Sequence, residues 1–169
     1  MSQDNVVQVP STTSNLDTGI GANARKDLAE KLSKVLASTY ATYLKTQNVH
    51  WNVTGPMFKT IHDLTEEQYT DMATANDEIA ERIRALGHRA PGSFADFQAL
   101  SESPALPDNA SAEDMVTALI EENERLVKLL RETAESAGEQ NDQVTEDLCI
   151  GRMNIHEKSI WMLSSLVNR

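Results

Sequence analysis

The chain has 169 residues, 40% of them hydrophobic and 24% charged, which is the balance of one globular domain with a real core. The net charge of -11 disfavours a general nucleic-acid binder and suits a protein that attracts cations, although a solvated acidic surface is the commoner meaning of such a charge. No apolar run approaches the roughly 20 residues of a membrane-spanning helix. Cys149 is the only cysteine, which fits a buried helix residue in a reducing cytoplasm.

The predicted elements are helices, because good helix formers are plentiful and aromatic residues make up 5%. Residues 1–22 are polar, show no helical stripe and are predicted to form a flexible N-terminal tail. One domain then follows over residues 23–169. Its first helix is predicted from about residue 24 to 53, where apolar residues recur every three or four positions. Gly55 and Pro56 end it.

A second helix is predicted from about residue 57 to 86. The long crossover that follows contains the piece SFADFQAL, which could form one or two helical turns. Ser111 and Asp114 resemble a capping box that opens a third helix to about residue 137, and a fourth runs from about 142 to 167. Two helices, a long crossover and two more helices predict an all-α, ferritin-like four-helix bundle with a short extra helix in the crossover.

The second helix carries a stripe of potential metal ligands. Counted at about 100° per residue from His62, Glu66 lies at about 40°, Asp77 at about 60° and Glu81 at about 100°. A solvated charged face would explain this stripe equally well. His62 and Asp77 are about 22 Å apart along the helix axis, so they cannot bind one ion within one chain.

Two copies of this helix can solve the problem of distance. If they pack antiparallel across a two-fold axis, His62 of one chain lies beside Asp77 and Glu81 of the other, and the symmetry builds two equivalent sites. His50, one turn before the break at Gly55, can return to the neighbourhood of His62. The proposed ligands are therefore His50, His62 and Glu66 of one subunit with Asp77 and Glu81 of its partner.

This mixture of imidazole and carboxylate ligands suits Fe(II), and Zn, Mn or Co could compete. An internal di-iron site would be expected to show two Glu-x-x-His pairs. The chain has none, since Lys59 precedes His62 and Met153 precedes His156 at that spacing. The usual ferritin centre is therefore disfavoured.

These motifs resemble the Dps family, the DNA-binding proteins from starved cells or miniferritins. The resemblance runs from about residue 24 onwards and rests on the segment NVHWNVTGPMFKTIH, on Asp77-x-x-x-Glu81-Arg82 and on HEKSIWML. It implies a hollow homo-dodecamer with a ferroxidase centre at each dimer interface. Such proteins oxidise Fe(II), usually with hydrogen peroxide in preference to oxygen, and store the ferric mineral inside, which protects against oxidative damage.

Carried over to this chain, the resemblance makes His50, His62, Asp77 and Glu81 iron ligands. Glu66 stands where the family often has Asp, and its longer side chain could bind directly or through water. Trp51 could take up stray oxidising equivalents beside the centre or pack as a wedge at the dimer interface. Trp161 is expected in the core, and His88 and His156 are expected to be structural or exposed.

Other acidic residues have weaker assignments. Asp63 and Glu67 could nucleate mineral, or simply be solvated. Glu139, Asp142, Glu146 and Asp147 stand where the family lines acidic three-fold pores, although the helix dipole also favours carboxylates at the start of a helix.

Two other functions remain open. One is a Dps-type protein acting mainly by DNA compaction, but the first 24 residues lack Lys and Arg, and Arg25 is the earliest basic residue. Weak or absent DNA binding is therefore expected. The other is a bundle that only oligomerises. The expected location is the bacterial cytoplasm or nucleoid, without membrane attachment.

Overall fold

The structure, a computed structural model, describes residues 16–167 and forms five helices in that range. They are α1 (Ala22–Asn52), α2 (Phe58–Ala85), α3 (Phe94–Leu100), α4 (Ala112–Glu139) and α5 (Gln143–Val167). The described part of the chain contains no β-strand, so the all-α prediction is confirmed. Most of the predicted N-terminal tail lies outside the described residues, and its flexibility stays a prediction.

The breaks between helices follow from local chemistry. Gly55, between α1 and α2, has a φ of 97°, a conformation that favours glycine, and its carbonyl accepts a hydrogen bond from the Phe58 N–H at 3.0 Å. The predicted capping box is present at the start of α4, where Ser111 Oγ accepts from the Asp114 N–H and Asp114 Oδ2 accepts from the Ser111 N–H. The short crossover helix is α3, capped by the Ser93 side chain.

The helices pack as two hairpins, α1 with α2 and α4 with α5. The hairpins meet through α1 with α4 and α2 with α5, while α3 lies against α1. The chain crosses from the end of α2 to the start of α4 through the segment that contains α3. This is the predicted ferritin-like connectivity.

The core between the hairpins has two apolar clusters, one toward each end of the bundle. Cys149 is fully buried in the first cluster, as expected. The largest buried side chains include Leu28, Leu32, Ile79, Ile83, Leu126 and Leu130 in the first cluster, and Ile61, Leu119, Ile120 and Leu163 in the second. These clusters hold α1 and α2 together along the length that carries the candidate ligands.

The prediction that Trp161 packs in the core is wrong. Trp161 is 67% exposed, and Val144 and Ile155 of the same helix are 62% and 36% exposed. The buried side of α5 is marked instead by Cys149, His156 and other residues on the opposite face. A helical apolar stripe does not reveal whether it faces its own bundle or is left uncovered by it, and α5 carries apolar residues on both sides.

Candidate metal centre

His50 and His62 form a reciprocal pair where α1 and α2 meet. Their rings stack with centroids 3.8 Å apart and planes 16° apart. His50 Nδ1 donates to the His62 carbonyl at 2.8 Å, and His62 Nδ1 donates to the His50 carbonyl at 2.9 Å. Because a carbonyl oxygen can only accept, each Nδ1 carries a proton, and in the neutral tautomer that this fixes the lone pair lies on Nε2. A metal-ligating histidine needs this arrangement.

Neighbouring rings hold this pair in place. The Phe58 ring stacks near His62 with centroids 5.1 Å apart, and the Tyr69 ring meets His50 edge-on, also at 5.1 Å. Thr65, fully buried beneath the pair, donates its hydroxyl to the Ile61 carbonyl at 2.7 Å. Sequence analysis missed these supporting side chains. The signal that could have found Tyr69 is its helical spacing of seven residues from His62.

The pair lies at the edge of the subunit. His50 is 7% exposed, His62 is half-buried, and Glu66, one turn further along α2, is exposed. Trp51, next to His50, is 61% exposed. The structure therefore brings His50 and His62 together and places Glu66 at the same end of the helix pair. These three side chains are candidate ligands that do not form a complete metal site within one subunit.

Asp77 and Glu81 form a second, separate group. Both are exposed on α2, and the helix is continuous from His62 to Glu81, so the predicted separation of about 22 Å between His62 and Asp77 holds. Within residues 16–167 of one subunit, no group of three or more His, Cys, Asp or Glu side chains could hold a metal ion. One subunit therefore presents two separate half-sets of candidate ligands.

Glu122 is a buried carboxylate whose hydrogen-bonding capacity is used by three neighbouring side chains. Its carboxylate is 4% exposed and accepts from Lys45 Nζ, from Arg125 Nη2 at 2.8 Å and from Ser103 Oγ at 2.9 Å. Burial alone would raise the pKa of Glu122, but the bonds from Lys45 and Arg125 outweigh it and hold the pKa below its ordinary value. Glu122 is therefore already paired with two cations and is not a free carboxylate in the interior of the bundle.

His156 belongs to a second buried network. Arg152 Nη2 donates to Asp71 Oδ2 at 2.7 Å and to His156 Nε2 at 3.2 Å, so His156 Nδ1 carries the proton and donates to Asn123 Oδ1 at 2.8 Å. Burial, with a smaller effect from the Arg152 charge, lowers the pKa of His156 to about 3. His156 is thus a neutral structural side chain, one of the two outcomes expected for it.

Asp142 is not available to line a pore. It is 1% exposed, and both of its oxygens accept from Arg82 Nη2, at 2.7 and 2.8 Å. This part of the pore prediction is therefore wrong, because Asp142 caps α5 and neutralises Arg82. Its pKa is below the ordinary value: burial would raise the pKa, but hydrogen bonds from Arg82 and Thr145 outweigh that effect.

The remaining acidic candidates are accessible. Glu139 and Asp147 are exposed and Glu146 is half-buried, all around the start of α5, so their pore assignment stays a prediction. Asp63 and Glu67 are exposed on α2, and Asp63 accepts from Lys59 Nζ at 2.5 and 2.6 Å. Their role in nucleation also stays a prediction.

The architecture and the histidine pair define a helical bundle of the ferritin type, and comparison with known proteins agrees. The family model described as a ferritin-like domain matches residues 29–169. DNA protection during starvation protein 2 of Bacillus anthracis is 35% identical over 144 residues, which cover 85% of this chain and 99% of the relative. An uncharacterised low temperature-induced protein of Nostoc is also 35% identical, over 90% of this chain and 86% of its own. The chain belongs to the Dps family of ferritin-like proteins.

Solved structures support the same assignment. The crystal structure of Dps from Staphylococcus aureus matches with a TM-score of 0.80 at 33% identity, over 83% of this chain and 95% of that one. The Dps of Vibrio cholerae is described as a member of a broad superfamily of ferritin-like diiron-carboxylate proteins. It matches with a TM-score of 0.86 at 28% identity, over 93% of this chain and 99% of that one. In the part of this chain that the structure describes, no helix is long and apolar enough to cross a membrane.

Proposed function

We propose that the protein is a ferroxidase and iron-storage miniferritin that oxidises Fe(II) at sites shared by two subunits. The observation that carries this proposal is the reciprocal pair of His50 and His62. The two imidazoles lie at the edge of the subunit, and each is held through Nδ1 by the carbonyl of the other. This leaves each Nε2 to bind a metal, so the pair makes a prepared metal half-site.

The other half of the site would come from a second copy. Packing α2 antiparallel against α2 of another subunit brings Asp77 and Glu81 of the partner subunit beside His50, His62 and Glu66. Each dimer then contains two sites, each with nitrogen and oxygen donors and open positions for substrate. Such a donor set suits Fe(II), and other divalent ions, Zn included, would compete for it.

The proposed reaction uses hydrogen peroxide in preference to oxygen. Two Fe(II) ions each give one electron, the O–O bond of one peroxide breaks, and two protons from solvent complete two waters. The carboxylates of Glu66 and of the partner's half-site favour the product, because they stabilise the higher charge of Fe(III). Storage of the ferric product inside a shell of twelve subunits in the bacterial cytoplasm would remove both reactants of hydroxyl-radical chemistry.

Stopped-flow absorbance tests this proposal. Fe(II) is added to the assembled protein, with peroxide or oxygen as oxidant, and the mass of the oligomer is measured in parallel. We expect His62→Ala and Asp77→Ala each to abolish rapid oxidation while the shell still assembles. Glu157→Gln, an exposed carboxylate on α5 whose partner is Arg131, is the matched control and should oxidise at the wild-type rate. Normal kinetics in both the His62 and Asp77 variants would reject the site.

Mixed subunits separate a shared site from a site within one chain. Dimers that combine one His62→Ala subunit with one Asp77→Ala subunit contain one intact shared site and one site that has lost both groups. Shared sites therefore predict that mixing restores part of the activity that each variant lacks alone. Complete inactivity of the assembled mixture would contradict ligands from two subunits.

A further inference from the structure

A buried hydroxyl group lies beneath the histidine pair of the candidate metal centre and belongs to Thr65 of α2. The Thr65 side chain is fully buried. Its Oγ1 lies 2.7 Å from the Ile61 carbonyl oxygen and 3.0 Å from the His62 carbonyl oxygen, both within its own helix. It also lies 3.4 Å from His50 Nδ1, a contact that crosses to α1 and reaches a proposed metal ligand.

The chemistry of the two groups fixes the direction of the contact between Thr65 and His50. A threonine hydroxyl has one proton and two lone pairs. Its proton goes to a carbonyl oxygen, of which that of Ile61 is the nearer. His50 Nδ1 carries a proton, because it donates to the His62 carbonyl at 2.8 Å. Thr65 Oγ1 therefore accepts from His50, and the Nδ1 proton of His50 is shared between two acceptors.

The two histidines differ in the number of these acceptors. Among the residues that the structure describes, His62 Nδ1 has a single acceptor, the His50 carbonyl at 2.9 Å. An imidazole held by one hydrogen bond can rotate about that bond, whereas two acceptors also restrict the plane of the ring. Thr65 thereby restricts the direction in which His50 Nε2, the atom available to a metal, can point.

Helix packing alone does not require a hydroxyl at position 65. Threonine in a helix commonly donates to the carbonyl four residues earlier, and Thr39 and Thr42 of α1 do so at 2.8 and 2.7 Å. Valine has the same branched shape and would fill the same space without a polar group to satisfy. In the part of the chain that the structure describes, the contact with an imidazole distinguishes Thr65 from these two threonines.

We propose that Thr65 is a positioning residue that holds the His50 imidazole in the orientation that binds a metal. This inference rests on the proposed ferroxidase function, because His50 is a ligand of that site. Outer hydrogen-bond partners of metal-binding histidines typically contribute about 10–100-fold to metal affinity. The shorter bond from His50 to the His62 carbonyl does not need Thr65, so its loss should cost about tenfold, the lower end of that range.

The effect should fall on metal binding rather than on the oxidation step. Thr65 is fully buried beneath the imidazoles, so it contacts neither Fe(II) nor the oxidant. Without its hydroxyl, the Fe(II) concentration that gives half-maximal oxidation should rise by the same factor as the metal Kd. The rate at saturating Fe(II) should stay unchanged.

Cobalt binding and iron oxidation together test this role. Assembled wild type, Thr65→Val and Thr65→Ser are titrated with Co(II) in the absence of oxygen, and the visible absorbance of the bound ion gives the Kd. His50→Ala identifies the part of the signal that comes from the proposed site. We expect Thr65→Val to raise the Kd about tenfold, and Thr65→Ser, which keeps the hydroxyl, to bind as the wild type does. Stopped-flow oxidation at a series of Fe(II) concentrations then separates the half-maximal concentration from the maximal rate.

Thr42→Val is the matched control. Thr42 is as buried as Thr65 and makes the same bond within its helix, but the partner of its hydroxyl is the Ser38 carbonyl rather than an imidazole. Its replacement should leave both Co(II) affinity and iron oxidation at wild-type values.

The outcomes separate the role of Thr65 from the ferroxidase function. Wild-type Co(II) affinity in Thr65→Val would overturn the proposal, as would an equal loss in Thr65→Ser or Thr42→Val. If Thr65→Val does not assemble, Thr65→Ala, which also lacks the hydroxyl, decides in its place. If His50→Ala binds Co(II) as the wild type does, His50 is not a ligand and the role of Thr65 is overturned. If the wild type binds Co(II) through His50 but oxidises no Fe(II), the ferroxidase function fails and the Co(II) titrations still decide on Thr65.

Discussion

Replacing Asp142 with alanine should destabilise the subunit more than any change at a surface ion pair. The Asp142 side chain is fully buried and that of Arg82 is 16% exposed. Its two oxygens accept from Arg82 Nη2, from the Thr145 N–H at 3.0 Å and from Thr145 Oγ1 at 2.5 Å. The same carboxylate thus caps α5 and anchors Arg82, the residue after the proposed ligand Glu81.

The size of the effect follows from these contacts. Removing the anion leaves a largely buried guanidinium without its partner, at a cost of about 3–5 kcal/mol. Losing the helix cap costs about 1 kcal/mol more. Since about 1 kcal/mol shifts the Tm of a domain of this size by about 2–4 °C, we expect Asp142→Ala to lower the Tm by roughly 8–24 °C. Asp142→Asn keeps an acceptor for Thr145 but loses the charge, so its Tm should lie between those of the wild type and Asp142→Ala.

Scanning calorimetry at neutral pH measures this loss. The control is Arg131→Ala, because Arg131 and Glu157 form a pair whose side chains are 55% and 53% exposed, and such pairs contribute at most about 1 kcal/mol. The lowered pKa of Asp142 also determines the direction in which its contribution to stability changes with pH. Its stabilisation is complete above the unfolded-state pKa of about 3.9 and is lost as the pH falls below it, so wild type and Asp142→Asn should converge in acid. A Tm for Asp142→Ala equal to that of the control would refute this reasoning.

Three further predictions concern other buried and exposed charges. His156 is neutral when folded, with a pKa of about 3, and binds a proton near pH 6.5 when unfolded, so its contribution should weaken by about 2 kcal/mol from pH 7 to 5. Chemical denaturation of His156→Gln should show a flatter pH profile, and an unchanged profile would contradict this. Lys45→Met should lower the free energy of unfolding by about 3–5 kcal/mol, because it removes the buried cation that pairs with Glu122. Lys59→Met, at an exposed pair, should lower it by less than about 1 kcal/mol. Equal losses of stability in calorimetry would reject the distinction. The assembled protein should not retard duplex DNA in a gel at low salt, and tight, salt-sensitive retardation would overturn that expectation.

Periodicity and turn chemistry were enough to predict the helices. The break at Gly55 and Pro56, the capping box at Ser111 and the short helix in the crossover are local signals, since each depends on residues a few positions apart. The spacing from His62 to Asp77 was equally informative. A helix has a fixed rise, so the sequence alone determined that these candidate ligands lie too far apart to bind one ion within one chain.

Only the tertiary structure decided how particular side chains are used. Asp142 and Asp147 look alike in the sequence, yet one is buried against Arg82 and the other is exposed. Trp161 fits an apolar pattern but lies on the uncovered face of α5. The stacked imidazoles of His50 and His62, each donating to the other's carbonyl, depend on how α1 and α2 dock. The environments of these side chains, unlike the positions of the helices, depend on contacts between residues distant in the chain, and periodicity does not encode such contacts.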